Sequence, residues 1–292
     1  RGFELLGAKT NYNLNGNIDF VAANGLKGNQ IYQDIVSVGT TINIMLAAVY
    51  ADGVTTIENA AREPHIVDTA SFLNACGADI TGAGTSMIRI RGVKKLHGCK
   101  YDVAPDMIEA GTYMTAVAAA GGEVTLHRVI PRHMEATVAK LREIGVKVET
   151  TDDSITVSST GQYRGTEIKT NPYPGFPTDM HPQFAAMLCV ANGVSKISEG
   201  IWEGRFRYAE ELGKMGARID IVDNAAHITG VSSLHGAVVK ANDLRAGASL
   251  VVAALCARGV TTVTGLEYID RGYEDLPGKL RKLGADITRV TQ

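Results

Sequence analysis

The sequence predicts an α/β protein in which one βαβαββ unit of about 70 residues is used several times over. Three observations carry this reading. Glycines recur at a nearly fixed period. Each either opens a β-branched, alternating stretch or closes a helical one. A run rich in Ala, Met, Val and Leu precedes each opening glycine. The opening glycines Gly53, Gly122, Gly193 and Gly259 lie 69, 71 and 66 residues apart, and the closing glycines Gly77, Gly145, Gly216 and Gly284 lie 68, 71 and 68 apart.

The first full copy starts with Gly53-Val54-Thr55-Thr56-Ile57, which alternates as a half-buried strand does, then runs through a helix over Ile66 to Cys76 and a strand from Gly77-Ala78-Asp79-Ile80. The second opens at Gly122-Glu123-Val124-Thr125-Leu126, places Met134, Val138, Leu141 and Ile144 at helical spacing, and closes at Gly145. The third and fourth run from Gly193 to Gly216 and from Gly259 to Gly284. A glycine after each helix can take the left-handed conformation that ends it. Gly7, 70 residues before Gly77, reads as the close of an earlier copy. A second helix precedes each opening strand, starting near Asp34, Asp106, Asp179 and Asp243. These helices are apolar nearly all round, so they are expected inside, with the sheets outside.

Composition narrows the function classes. With Lys+Arg 29 against Asp+Glu 31 there is no basic excess for a nucleic-acid partner. No apolar run reaches the ~20 residues of a membrane span. Cys76, Cys99, Cys189 and Cys256 are widely separated and read as small buried hydrophobes in a reducing cytoplasm. His65, His127, His133, His181, His227 and His235 show no metal-ligand spacing, so a zinc or iron site is not expected. Phosphate-loop, dinucleotide and nucleophile-elbow glycine motifs are absent.

Chemistry is expected at the helix starts, where free N–H groups and the helix dipole suit phosphates and carboxylates. For Asp34 and Asp106, simple capping competes evenly with that role. Asp179 sits in the proline-braced loop Tyr173-Pro174-Gly175-Phe176-Pro177-Thr178-Asp179, which can hold a general base in place. Asp243 and Arg245 open the last buried helix, followed by small residues that admit a ligand. Arg205 and Arg271 follow strands in the third and fourth copies, and arginine binds carboxylate or phosphate bidentately, with a plain salt bridge as the alternative.

Five stretches carry a resemblance: Ser37-Val38-Gly39-Thr40-Thr41, Glu58-Asn59-Ala60-Ala61-Arg62-Glu63-Pro64, Phe176-Pro177-Thr178-Asp179-Met180, Asp243-Leu244-Arg245-Ala246-Gly247-Ala248-Ser249 and Ile269-Asp270-Arg271-Gly272-Tyr273-Glu274. In order and spacing the sequence resembles the UDP-N-acetylglucosamine 1-carboxyvinyltransferases over essentially its whole length. The resemblance implies the enolpyruvyl transferase fold: two inside-out α/β barrel lobes of three repeats each. Residues 1–104 would be the later part of the first lobe and 105–292 the second.

The implied reaction moves the enolpyruvyl group of phosphoenolpyruvate to the 3-hydroxyl of UDP-N-acetylglucosamine, releasing phosphate, without metal or organic cofactor, in cytoplasmic peptidoglycan synthesis. By resemblance, Asp179 contacts the sugar hydroxyl as its base. Val36, Ser37, Val38 and Gly39 lie in the segment that holds the uridine diphosphate, with Ile35 where some members have Lys. Ile201 makes a backbone contact to the nucleotide sugar. Arg205, Arg245 and Arg271 surround phosphoenolpyruvate, and Asp243 is an acidic partner near the reacting centre. Asp106 and Glu109 match polar residues at the lobe junction. The family's mobile Cys or Asp loop and an early Lys match nothing in these residues, so the 292-residue chain alone is expected to have little transferase activity and to need a further segment or associating chain to complete the first lobe. Competing readings are a non-catalytic homologue that binds a UDP-sugar or a partner protein, and a transferase acting on shikimate 3-phosphate.

Overall fold

The computed structural model describes residues 1–290 except Leu14. It falls into two compact units, Arg1–Ala104 and Pro105–Gln292.

The first unit begins with α1 (Gly2–Leu5) and a hairpin of β1 (Lys9–Tyr12) and β2 (Ile18–Val21). A complete βαβαββ copy follows: β3 (Gln30–Tyr32), α2 (Val38–Ala48), β4 (Val54–Glu58), α3 (Pro64–Ala75), β5 (Asp79–Thr81) and β6 (Met87–Arg91). Its four strands form one sheet in the order β3-β4-β6-β5, parallel at β3–β4 and antiparallel elsewhere. The register sets Ile31 beside Ile57 and Ile57 beside Ile88, so alternation turns these side chains to one face. There they meet Ile44 and Met45 of α2 and Ile66 of α3 in one core. Gly77 follows α3 with φ of 98°, the left-handed stop expected there.

The second unit repeats the pattern three times. α4 (Met107–Ala120), β7 (Gly122–His127), α5 (Glu135–Glu143), β8 (Lys147–Thr150) and β9 (Ser154–Ser159) form the first copy, with a three-stranded sheet ordered β7-β9-β8. β10 (Glu167–Lys169), α6 (His181–Leu188), β11 (Val194–Ser198), α7 (Tyr208–Lys214), β12 (Arg218–Val222) and β13 (Ala225–Thr229) form the second, with strands ordered β10-β11-β13-β12. The third holds β14 (Val238–Lys240), α8 (Leu244–Cys256), β15 (Thr262–Thr264), α9 (Leu266–Asp270) and α10 (Leu276–Lys282). α4, α6 and α8 pack on one another at the centre. Every residue of α6 is buried. Small residues on α4 and α8 let the helices close up: Gly111 lies against Met180, and Gly247 against Ile269 and Ala241. Enclosing side chains such as Phe184, Met114 and Leu250 stabilises the unit by roughly 1.5–3 kcal/mol each. Helices inside and sheets outside is the arrangement the repeat predicts.

Three expectations need correction. α2 starts at Val38 rather than near Asp34; Ser37 is its N-cap, accepting from the Thr40 N–H, and Asp34 is exposed and paired with Arg1. α2 is not enclosed all round either, since Leu46 stays 47% exposed. Within its unit α2 packs on α3, α1 and one face of the sheet, whereas α4, α6 and α8 enclose each other. Finally, the strand expected after Gly284 does not form among the described residues. The Arg281 guanidinium takes the Ile287 carbonyl through two hydrogen bonds, at 3.0 and 2.9 Å, that a ladder would otherwise use.

Candidate functional site

The site lies in the second unit, at the start of α6. Pro177 is extended, Thr178–Met180 form a single 3-10 turn, and α6 begins at His181. Asp179 is therefore one residue too early to cap α6. Its carboxylate turns to two guanidinium groups instead: Oδ1 is 2.9 Å from Arg205 Nη2, and Oδ2 is 3.2 Å from Arg245 Nε. Burial pushes the Asp179 carboxyl up, but the charges of Arg245 and Arg205 outweigh it and hold the group below its ordinary value. Asp179 is ionised at neutral pH.

Each arginine is fixed by a second contact. Arg205, on the loop after β11, donates from Nη1 to Thr178 Oγ1 at 2.8 Å. Arg245, in the first turn of α8, donates from Nη1 to the Tyr273 hydroxyl at 3.2 Å and sits 5.7 Å from that ring's centre. The Tyr273 hydroxyl lies 2.8 Å from Thr112 Oγ1 in α4. Three repeats thus contribute to one cluster. Asp243 is the N-cap of α8, its Oδ1 accepting from the Arg245 and Ala246 N–H groups at 3.0 and 2.9 Å. It also lines the cleft. That cleft, of ≈ 350 Å³, is bounded by Asp179, Trp202, Arg205, Arg207, Asp243 and the start of α8.

Below it lies a buried polar layer. The Glu199 side chain, 0% exposed at the end of β11, accepts five hydrogen bonds. Oε1 receives Thr170 Oγ1 at 2.6 Å and the N–H groups of Ile201 and Trp202 at 2.7 and 3.2 Å. Oε2 receives Thr178 Oγ1 at 2.8 Å and His181 Nδ1 at 3.0 Å. Burial pushes Glu199 up, but the donors from His181, Thr170, Ile201 and Thr178 prevail and hold it down at about 2. Burial keeps His181 neutral, against the pull of Glu199. Its proton is on Nδ1, and Nε2 accepts from the Tyr208 hydroxyl at 2.6 Å.

The residues singled out in the sequence divide accordingly. Asp179, Arg205, Arg245 and Asp243 come together, with Ile201 on the adjoining loop. Arg271 follows α9, is exposed, and is not among the residues bounding the cleft. Val36, Ser37, Val38 and Gly39 lie in the first unit, at the start of α2. Asp106 caps α4 through the Ile108 N–H at 2.7 Å, and Glu109 pairs with Lys279 at 2.8 Å. Sequence reading passed over Glu199, Tyr208 and Thr112, and weighed His181 only as a metal ligand. The Pro-Thr-Asp loop pointed to their neighbourhood, but a buried acceptor one helix and one strand further along the chain leaves no periodic signal. The cysteines are elsewhere: burial pushes the thiols of Cys189 and Cys256 up to about 12 and about 11, and in the first unit buried Cys76 meets Cys99, which is exposed rather than buried as expected, with their sulfurs 3.4 Å apart.

Repeated βαβαββ units around buried helices, with two arginines and a carboxylate converging on one cleft, define an α/β repeat fold with a charged cleft in its second unit. Residues 1–280 match the family model described as EPSP synthase (3-phosphoshikimate 1-carboxyvinyltransferase). A UDP-N-acetylglucosamine 1-carboxyvinyltransferase of Clostridium botulinum is 54% identical over 290 residues, covering 99% of this chain and 69% of its own. Another, of Caldanaerobacter subterraneus, is 55% identical over 292 residues, 100% of this chain and 70% of its own. Among solved structures, the enolpyruvyl transferase NikO from Streptomyces tendae superposes with a TM-score of 0.88 at 29% identity, over 98% of this chain and 71% of its own. EPSP synthase from Acinetobacter baumannii, at 21% identity and a TM-score of 0.73 over 100% of this chain and 71% of its own, shares the fold. The chain belongs to this enolpyruvyl transferase family, with the UDP-N-acetylglucosamine 1-carboxyvinyltransferases.

Proposed function

We propose that this chain binds the substrates for, and takes part in, transfer of the enolpyruvyl group of phosphoenolpyruvate to the 3-hydroxyl of UDP-N-acetylglucosamine, with release of phosphate, as a step of peptidoglycan synthesis in the cytoplasm. The observation that carries the reading is the Arg205–Asp179–Arg245 cluster. Two fixed cations suit a substrate bearing both a carboxylate and a phosphate. A carboxylate between them can take the proton of an attacking hydroxyl. The relatives at 54 and 55% identity favour the nucleotide sugar as acceptor.

Asp179 paired with two guanidinium groups is a weak base. An incoming anion competes for the same N–H groups, and each one it takes removes a stabilising charge from Asp179. Basicity therefore rises when phosphoenolpyruvate is in place. The sugar oxygen adds to C2 as C3 gains a proton; C3 then loses a proton as phosphate departs. Arg205 and Arg245 offset the charge developing on carboxylate and phosphate. Asp243, its Oδ1 occupied by two backbone donors, holds the start of α8 and thus Arg245. The Ser37-Val38-Gly39 segment, with Val36 before it, is assigned to the uridine diphosphate, the Ile201 backbone to the nucleotide sugar, and Arg271 to phosphoenolpyruvate.

No cysteine is among the residues bounding the cleft. We expect the 292-residue chain by itself to bind ligands but to release little phosphate; a segment or associating chain supplying the proton donor would restore turnover. The test is calorimetric titration with UDP-N-acetylglucosamine and with shikimate 3-phosphate, each with phosphoenolpyruvate, alongside phosphate release. Binding of the nucleotide sugar alone supports the reading. Preference for shikimate 3-phosphate would move the chain to the other acceptor, and brisk phosphate release would overturn the expectation of low activity.

A further inference from the structure

We propose that Glu199, held by His181, is the positioning residue for both substrate-facing loops of this cleft, acting on the anion through Thr178 and Arg205. The inference rests on the assignment of Arg205 to the anionic substrate and extends it to residues that touch no substrate.

The Thr178 hydroxyl is the hinge of the argument. Its proton goes to Glu199 Oε2 at 2.8 Å, so its lone pair faces Arg205 Nη1, also at 2.8 Å. A hydroxyl has one proton, and an ionised acceptor on one side decides which way it points. Glu199 is ionised, so Thr178 presents only an acceptor to Arg205. Arg205 is thereby anchored at Nη1 independently of Asp179, which holds Nη2. When an anion draws Arg205 away from Asp179, the Thr178 contact remains and keeps the guanidinium aimed into the cleft.

The other carboxylate oxygen governs the neighbouring loop. Oε1 takes the Ile201 and Trp202 N–H groups, and Thr170, itself bound to Oε1, takes the Gly200 N–H at 2.8 Å. Three successive N–H groups, of Gly200, Ile201 and Trp202, are turned toward Thr170 and the buried acid. Asn224 closes the loop from the far side through the Glu199 and Trp202 carbonyls at 2.7 and 3.0 Å. His181 fixes the Glu199 carboxylate, and Tyr208 fixes the His181 ring. One buried acid therefore sets the Arg205 geometry and the Ile201 backbone together.

The experiment reads dissociation constants, which exist whether or not the chain turns over. Thr178→Val keeps shape and removes the hydroxyl; Thr178→Ser keeps the hydroxyl. A lost hydrogen bond to a charged group corresponds to about tenfold or more in binding. Thr178→Val is expected to weaken phosphoenolpyruvate at least that much, leave UDP-N-acetylglucosamine within about twofold, and be restored by Thr178→Ser. Glu199→Gln is expected to weaken both ligands, because both loops lose their shared tie. Unfolding midpoints within a few degrees of the parent's qualify each variant, and Thr178→Val carries the test should Glu199→Gln fail to fold. If Arg205→Ala weakens phosphoenolpyruvate while Thr178→Val does not, the positioning inference falls and the site assignment stands. If Arg205→Ala has no effect, the site assignment itself falls.

Discussion

Asp179 shows how one side chain can be both restrained and reactive. Replacing it by Asn keeps the shape but ends the competition for Arg205 and Arg245. Asp179→Asn is therefore expected to bind phosphoenolpyruvate several-fold more tightly, while transfer in a turnover-competent assembly falls by about two orders of magnitude, as loss of a general base does; calorimetry and phosphate release read the two effects separately. The sign of the pH effect follows from the depressed carboxyl. Its contribution to stability is present above the ordinary carboxylate value of about 4 and is lost as pH falls through the lower folded value. Asp179→Asn should accordingly flatten the acid limb of an unfolding curve below about pH 4. That Asp179 faces a cleft was legible from its proline-braced loop. That it misses the cap of α6 was not, because the intervening 3-10 turn has no signature of its own. Ser37 was legible in principle, since Ser ahead of a helical run marks an N-cap, but Asp34 three residues earlier carries the same capping signal.

At the scale of elements, period and composition revealed the strands and buried helices because both are burial patterns. Close backbone approach is not a burial pattern, and the glycines that serve it were invisible. Gly230 and Gly92 occupy equivalent places, just past the last strand of their copies, where a Cβ would fall 1.8 Å from the Ala191 carbonyl oxygen and 1.6 Å from that of Ala51. Neither has a positive φ, so the constraint is space alone. Gly230→Ala must displace main chain and is expected to destabilise by about 1–3 kcal/mol, the range of an overpacked core, measured by denaturant titration. The strand expected after Gly284 was misread for a related reason: a β-branched run after a left-handed glycine looks the same whether its carbonyls meet a neighbouring strand or an arginine.

Across the whole molecule, the same small devices recur from copy to copy. His97 in the first unit and His235 in the second each donate their N–H to the carbonyl that ends the preceding helix, Cys76 and Met215, at 2.8 and 2.9 Å. Both imidazoles lie 3.0 Å from where a Cβ would sit on Gly77 and Gly216. His235, which carried no message as a metal ligand, is thus repeat furniture, as is His97. Stability should not be shared evenly among copies. Among the described residues the last copy has a two-stranded sheet, with Val238 and Val260 exposed by 68 and 86%. Amide exchange is expected to be fastest across β14 and β15 and slowest in α6, whose backbone opens only with the core. Equal protection across the three sheets of the second unit would contradict that gradient.

The Asp179 pairing also has a bearing on inhibitors. The cleft carries its own resident competitor: any anionic drug aimed at Arg205 and Arg245 must evict a covalently attached carboxylate that is always present. Its measured affinity is the difference between two salt bridges rather than the value of one. A compound that leaves the arginines paired and fills the neighbouring space beside Trp202 avoids that contest.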